Sequence, residues 1–177
     1  MLRYHNITSD DMRNGDGLRT VLWLAGCEHH CPGCQNPITW DPNGGIEFDE
    51  AAKEELFEKL SKDYISGITF SGGDPLHPNN VSGVYDLICT IMTKYPGKTI
   101  WLYTGYTWEE LWNPRLYKNE IFQKRMKIVN LIDVLVDGRF VKELADVNYP
   151  WAGSKNQRVI DVQKSIIHGC VVRYESR

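Results

Sequence analysis

Between Gly26 and Asn36 the chain reads Gly-Cys-Glu-His-His-Cys-Pro-Gly-Cys-Gln-Asn, which places three of the five cysteines (Cys27, Cys31 and Cys34) within eight residues. Thiolates are the ligands of iron–sulfur clusters, and a full set for a four-iron, four-sulfur cluster is four cysteines. The loop offers three. The missing fourth leaves one iron with an open coordination position, where a substrate or cofactor can be held and changed. The residues just before the loop, Thr20-Val21-Leu22-Trp23-Leu24-Ala25, show no polar alternation and read as a strand covered on both faces, the pattern of a parallel sheet. In such sheets binding sites collect at the carboxyl ends of strands, which is where this loop begins.

Other uses of the thiols fit less well. A disulfide framework calls for an even cysteine count in a short secreted chain, and this one has five cysteines and no apolar signal segment in Met1-Leu2-Arg3-Tyr4-His5-Asn6. Structural zinc on Cys27, Cys31 and Cys34 with His29 or His30 stays open as a Cys₃His set, although zinc ligands usually come as separated pairs that tie distant segments together. Cys89, inside a helical pattern, reads as a small buried apolar residue. Cys170 as a fourth cluster ligand would close the open iron and contradict the reading.

The rest of the chain alternates strand and helix. Asp49 caps a helix running to about Lys62, and a strand over Ile65–Phe70 leads into Ser71-Gly72-Gly73-Asp74-Pro75. Asn79 or Asn80 opens a helix with Val84, Ile88, Ile91, Met92 and Tyr95 inward, ended by Pro96-Gly97. Thr99–Tyr103 is the next strand, and Thr107 with Glu110 fits a capping box. A helix from about Leu116 to Val129 with Ile121, Phe122, Met126 and Val129 inward then precedes a strand over Ile132–Val136. Trp108 and Trp112 read as core. Asp137 is a turn residue or a ligand or partner contact. Tyr149–Gln157 reads as a loop before a last strand through Val159, Ile160 and Val162. This order argues an α/β domain with parallel strands and right-handed crossovers. A complete eight-unit barrel takes about 250 residues, and at 177 residues the expected fold is an incomplete, TIM-like βα barrel with an open side. A net charge of −3 argues against a nucleic-acid-coating surface, and no run is long enough to span a membrane. A cytoplasmic protein with reduced cysteines follows.

The Cys-x₃-Cys-x₂-Cys spacing is preceded by Gly15-Asp16-Gly17-Leu18-Arg19 and followed by Ser71-Gly72-Gly73-Asp74-Pro75-Leu76-His77-Pro78, Thr104-Gly105-Tyr106 and Val134-Leu135-Val136-Asp137-Gly138-Arg139-Phe140. In that order the motifs resemble the radical S-adenosylmethionine enzymes that activate glycyl-radical enzymes, in particular the branch acting on anaerobic ribonucleoside-triphosphate reductases. The resemblance runs from about Tyr4 to Val162. It implies one radical S-adenosylmethionine domain over residues 1–177, with a core of about 15–162 and a C-terminal extension 163–177. It further implies that Cys27, Cys31 and Cys34 hold a [4Fe–4S] cluster whose fourth iron is chelated by S-adenosylmethionine. Gly72, Gly73 and Asp74 would hold the cofactor's amino group, with Asp74 standing where many members have Glu. Gly33, Cys34 and Gln35 would also bind the cofactor, the Gly33 backbone and Gln35 lining the adenine pocket, although Gly33 replaces the aromatic residue common there. One electron from a low-potential donor such as flavodoxin or ferredoxin then cleaves the cofactor to methionine and a 5′-deoxyadenosyl radical, which takes a hydrogen atom from a glycine of the partner reductase. No acid–base triad is implied. A radical enzyme of the same chemistry acting on a small molecule or peptide is the alternative.

Overall fold

The apolar run that leads into the cysteine loop forms β2 (Arg19–Leu24), in which Val21, Leu22 and Leu24 are fully buried. In the computed structural model, which describes residues 1–176, β2 is parallel to β4 (Gly67–Gly72), β4 to β5 (Thr99–Tyr103), and β5 to β6 (Val134–Asp137). Three antiparallel strands complete the sheet. β1 (Arg3–Asp11) flanks β2, β3 (Ile46–Glu47) pairs with β1, and β7 (Arg158–Asp161) flanks β6. The result is one open seven-stranded sheet in the order β3-β1-β2-β4-β5-β6-β7. The four strands expected between Thr20 and Val136 are parallel, and the last strand, through Val159 and Ile160, runs antiparallel to its neighbour. β6 and β7 are joined without a crossover helix, through a short 3₁₀ turn (Lys142–Leu144) and loop, and such a connection returns antiparallel.

The helices start where side chains can satisfy their free N–H groups. Asp49 accepts from Ala52 N–H to open α1 (Glu50–Leu60), whereas α2 (Val81–Lys94) begins after Asn80 without a side-chain cap, the Asn80 amide donating instead to Ala25 O (2.8 Å) and Asp74 O (2.9 Å). Thr107 and Glu110 form the expected capping box of α3 (Trp108–Leu111). The next helix begins later than the sequence pattern indicates. Pro114 nucleates a separate 3₁₀ turn (Pro114–Leu116), and Asn119 then caps α4 (Glu120–Leu131) by accepting from Phe122 N–H. Asp161 caps α5 (Val162–His168), which closes on Gly169 in the left-handed region. Met92, expected inward, is 41% exposed, and Trp108 and Trp112 pack partly buried against the core. Strand β4 starts two residues late because Ile65 N–H is taken by Lys62 O in a turn. β1 escaped sequence reading because a register shift between Tyr4 and Asn6 breaks its period of two, and its buried residues are Tyr4 and Ile7. Among the described residues no helix is long and apolar enough to cross a membrane.

The two faces of the sheet are built differently. Leu22, Leu24, Ile68, Phe70, Ile100, Leu102, Leu135 and Ile160 point to one face and form the main core with residues of the helices. The alternate positions point the other way, where Trp101, Val134, Val136 and Val159 make a smaller cluster with Trp151 and Tyr174, none of them helical. That second face is partly polar. Arg19 lies on it with no exposed surface, its guanidinium 5.3 Å from the Trp101 ring centroid. It donates to Thr69 Oγ1 (2.7 Å), Ile68 O (2.6 Å), Thr99 O (2.9 Å), Thr99 Oγ1 (3.0 Å) and Asp16 O (3.1 Å). Burial pulls this guanidinium down to about 10, so it stays charged at neutral pH, satisfied by carbonyl and hydroxyl oxygens. Arg19→Met fills the same volume and leaves those acceptors without a donor. It is expected to destabilise the fold by about 3 kcal/mol, read as a lower urea midpoint at unchanged slope.

Candidate metal centre

The cysteine loop is anchored at its root by main-chain bonds. Gly26 N–H donates to Thr39 O (2.8 Å) and Cys27 N–H to Trp40 O (3.0 Å), so the outgoing and returning limbs are paired. Inside, Cys34 N–H donates to Cys31 O (3.0 Å), closing a turn that Gly33 enters at φ +75°. The neighbouring strand holds the root from the other side. Gly73 N–H donates to Leu24 O (2.8 Å) and Asp74 N–H to Gly26 O (2.7 Å), extending the β2–β4 ladder past the end of both strands. The carboxyl ends of β2 and β4 thus bring the root of the cysteine loop, Gly26 and Cys27, beside Gly73 and Asp74, with Cys31 and Cys34 farther out on the same loop. Gly33 and Gln35 sit on the exposed outer side of the loop, with the Lys142 chain beside Gly33.

The three loop thiols are half-buried and free of disulfides. Asn36 N–H donates to Cys34 Sγ at 3.4 Å. Burial pushes the Cys27 thiol up to about 11, opposed by the backbone N–H groups of His29 and His30 that face its sulfur. Donors aimed at sulfur favour the thiolate and tune a metal–sulfur centre, and a bound cation overrides the burial cost by deprotonating the thiol. The donor set therefore fits an iron–sulfur cluster. Of the two histidines a Cys₃His zinc site could use, His29 has its Nε2 2.6 Å from Asp74 Oδ2, and the exposed His30 ring packs edge-on to Trp40 at 4.9 Å. Among the described residues no three His, Cys, Asp or Glu side chains gather as a single-ion site. A four-iron cluster makes no such demand, since each of its cysteines meets a different iron.

Residues 13–160 match the family described as 4Fe-4S single cluster domain, a span that includes the whole cysteine loop and leaves Cys170 outside. The anaerobic ribonucleoside-triphosphate reductase-activating protein of Escherichia coli (strain K12) is 42% identical over 160 residues, covering 89% of this chain and 97% of that relative. The chain belongs to this family of reductase-activating proteins. The protein of the same name from Enterobacteria phage T4 is 37% identical over 158 residues, covering 89% of this chain and 93% of the relative. That of Vibrio cholerae serotype O1 is 38% identical over 158 residues, covering 88% and 96%.

In this member of the family the Asp137 carboxylate is 1% exposed and tied inward. It accepts from Trp108 N–H (2.7 Å), Arg158 Nε (3.0 Å) and Arg158 Nη2, and so joins the end of β6 to the start of β7 and the start of α3. Arg158 also reaches Glu109 (2.7 Å), and these paired carboxylates hold its guanidinium far above the usual arginine range. The geometry is that of a structural tie. Two clefts open at this edge of the sheet. One, of about 460 Å³, adjoins Cys27, Glu28, His30 and Trp40. The other, of about 420 Å³, lies at Thr107, Gly138, Arg139 and Asn156.

Sequence reading missed how Thr104, Gly105 and His29 meet. Thr104 Oγ1 donates to the Asp74 carboxylate (2.9 and 3.0 Å), Gly105 N–H to its Oδ2 (3.1 Å), and Leu76 N–H to its Oδ1 (2.8 Å). With the carboxylate accepting, His29 Nε2 carries the proton it donates. His29 is 45 residues from Asp74 in sequence, and no local spacing signals a contact of that range.

Proposed function

We propose that this chain activates an anaerobic ribonucleoside-triphosphate reductase by generating a glycyl radical on it, as a radical S-adenosylmethionine enzyme. The observation that carries this reading is the docking of a three-thiol loop against a double-glycine turn at the carboxyl edge of a parallel sheet. Cys27, Cys31 and Cys34 would hold three irons of a [4Fe–4S] cluster and leave the fourth to S-adenosylmethionine. Bound together, cluster and cofactor would take one electron from a low-potential donor such as flavodoxin or ferredoxin and use it to break a carbon–sulfur bond, releasing methionine and supplying a 5′-deoxyadenosyl radical that becomes 5′-deoxyadenosine by taking a hydrogen atom from a glycine α-carbon. The chain's own residues bind, orient and exclude water. Gly72 and Gly73 let the backbone approach the cofactor, and the thiolate-facing N–H groups of His29, His30 and Asn36 tune the centre.

The sheet supports a partial barrel of the radical S-adenosylmethionine type. Its four parallel strands follow one another in sequence order with the helical core on one face, the arrangement of a barrel segment and not of a sheet wound both ways from a switch point. An open side suits a partner protein's loop better than a closed barrel mouth. The same chemistry points to a cytoplasmic, reducing setting.

Electron paramagnetic resonance on anaerobic mixtures tests the reading. The reduced protein alone is expected to cleave S-adenosylmethionine slowly. Adding an anaerobic ribonucleoside-triphosphate reductase should accelerate cleavage and leave a doublet from a persistent radical on the reductase, absent when its radical-site glycine is replaced by alanine. Cleavage indifferent to the reductase, with no protein radical, would move the reading to a small-molecule or peptide substrate.

A further inference from the structure

The Asp74 carboxylate has about four lone-pair sites, and four donors occupy them: Leu76 N–H, Thr104 Oγ1–H, Gly105 N–H and His29 Nε2–H. An incoming ammonium group finds no acceptor left on this side chain. The fourth donor differs from the others in origin. Leu76, Thr104 and Gly105 belong to the strand exits, whereas His29 lies between the thiols Cys27 and Cys31 on the cysteine loop. Its side chain is 4% exposed, and its ring sits edge-on to Tyr106 at 4.6 Å. A Cβ on Gly105 would lie 2.3 Å from His29 Cδ2, so the absence of a side chain there makes the socket for the ring. The adjacent Glu28 is tied into the same assembly. Arg125 Nη2 lies 3.4 Å from Glu28 Oε1 and donates to Tyr106 Oη at 2.6 Å, while the guanidinium stacks over the Tyr106 ring at 4.1 Å.

Resting on the radical S-adenosylmethionine reading above, we propose that His29 is a positioning residue that clasps the cysteine loop to Asp74 and so fixes the distance between the cluster and the cofactor-holding turn. Asp74 on this account acts through His29 and through the loop backbone, and the cofactor's amino group is met by main-chain oxygens of the Gly72-Gly73 turn. The clasp is separable from cluster assembly. The loop closes on itself through the Gly26–Thr39, Cys27–Trp40 and Cys34–Cys31 bonds, none of which involves the His29 side chain.

The test uses the full chain, reconstituted anaerobically, as parent, His29→Ala, His29→Gln, Asp74→Asn and the double variant His29→Ala/Asp74→Asn. Iron per chain is measured first. The reduced cluster is then titrated with S-adenosylmethionine while the change in its electron paramagnetic resonance spectrum is followed. His29→Ala is expected to keep parent iron content and to need about 10–100-fold more cofactor for the spectral change, the usual cost of losing an outer-shell partner. His29→Gln, whose amide N–H can take the place of Nε2–H, should recover most of that loss. The double variant should bind no worse than Asp74→Asn, since both changes break one contact. Parent-like affinity in His29→Ala, or loss of its iron, overturns the clasp while leaving the function standing. A parent whose spectrum ignores the cofactor overturns the function and the clasp together.

Discussion

Replacing Cys27, Cys31 or Cys34 by alanine is expected to take the reconstituted protein from about four irons per chain to nearly none. On the proposed three-thiol ligation one iron would already lack a protein ligand, so a second open corner would remove most of the remaining hold. Cys89→Ala and Cys170→Ala should keep the parent iron content. Cys89 is half-buried within α2 and Cys170 is exposed beyond α5, so neither shares the loop. Iron and acid-labile sulfide analysis under strict anaerobiosis measures the outcome, with far-ultraviolet circular dichroism as the check on folding. The fold itself should survive, because the main core is made by strand and helix residues outside the loop. Loss of iron in Cys170→Ala would mean that the fourth corner is ligated by protein, and the open-iron chemistry would fall with it.

Gly73→Val should disable the site almost as completely, by a different route. A Cβ at Gly73 would stand 2.5 Å from Gly26 O and 3.0 Å from Thr39 O, both backbone atoms at the root of the cysteine loop. Neither can swing aside, so the root itself has to move, and β-branching at Val leaves no rotamer that relieves it. Both iron content and cofactor binding are expected to fall. Any residual cleavage of S-adenosylmethionine should drop by about 100-fold or more, the cost of misplacing reacting groups by roughly 1 Å. Gly97→Ala is the control, since a Cβ there meets nothing within 4 Å. Parent-like iron and cleavage in Gly73→Val would reduce the Gly72-Gly73 stretch to a simple turn.

The parts of this protein that sequence reveals are those written by local chemistry. The three thiols declare themselves by spacing, the β2 and β5 runs by unbroken apolarity, and the caps Asp49 and Thr107 by residue type. What stayed hidden depends on register and on distance along the chain. β1 carries a bulge that destroys its alternation, and β7 turns back because its connection lacks a helix. The clasp at Asp74 joins residues 29, 74 and 104–105, which meet only because three parallel strands end side by side. A glycine such as Gly105 announces flexibility in sequence, whereas here its purpose is the space its missing side chain leaves for an imidazole. Asp137 shows the converse: a carboxylate at the right edge of the sheet turns out to be committed to Arg158 and the start of α3.

The in-order run β2-β4-β5-β6 also sets a timetable for synthesis. Each parallel pairing joins a strand to one made shortly before it, so the sheet can grow as the chain leaves the ribosome, in steps of modest loop closure. The cysteine loop emerges with the first of these strands, and Thr104-Gly105 follow ~70 residues later. At roughly 5–20 residues per second that separation lasts several seconds. During that interval the thiols are displayed on a nascent chain whose imidazole socket does not yet exist, and whatever metal or oxidant surrounds the ribosome reaches them before the finished edge can.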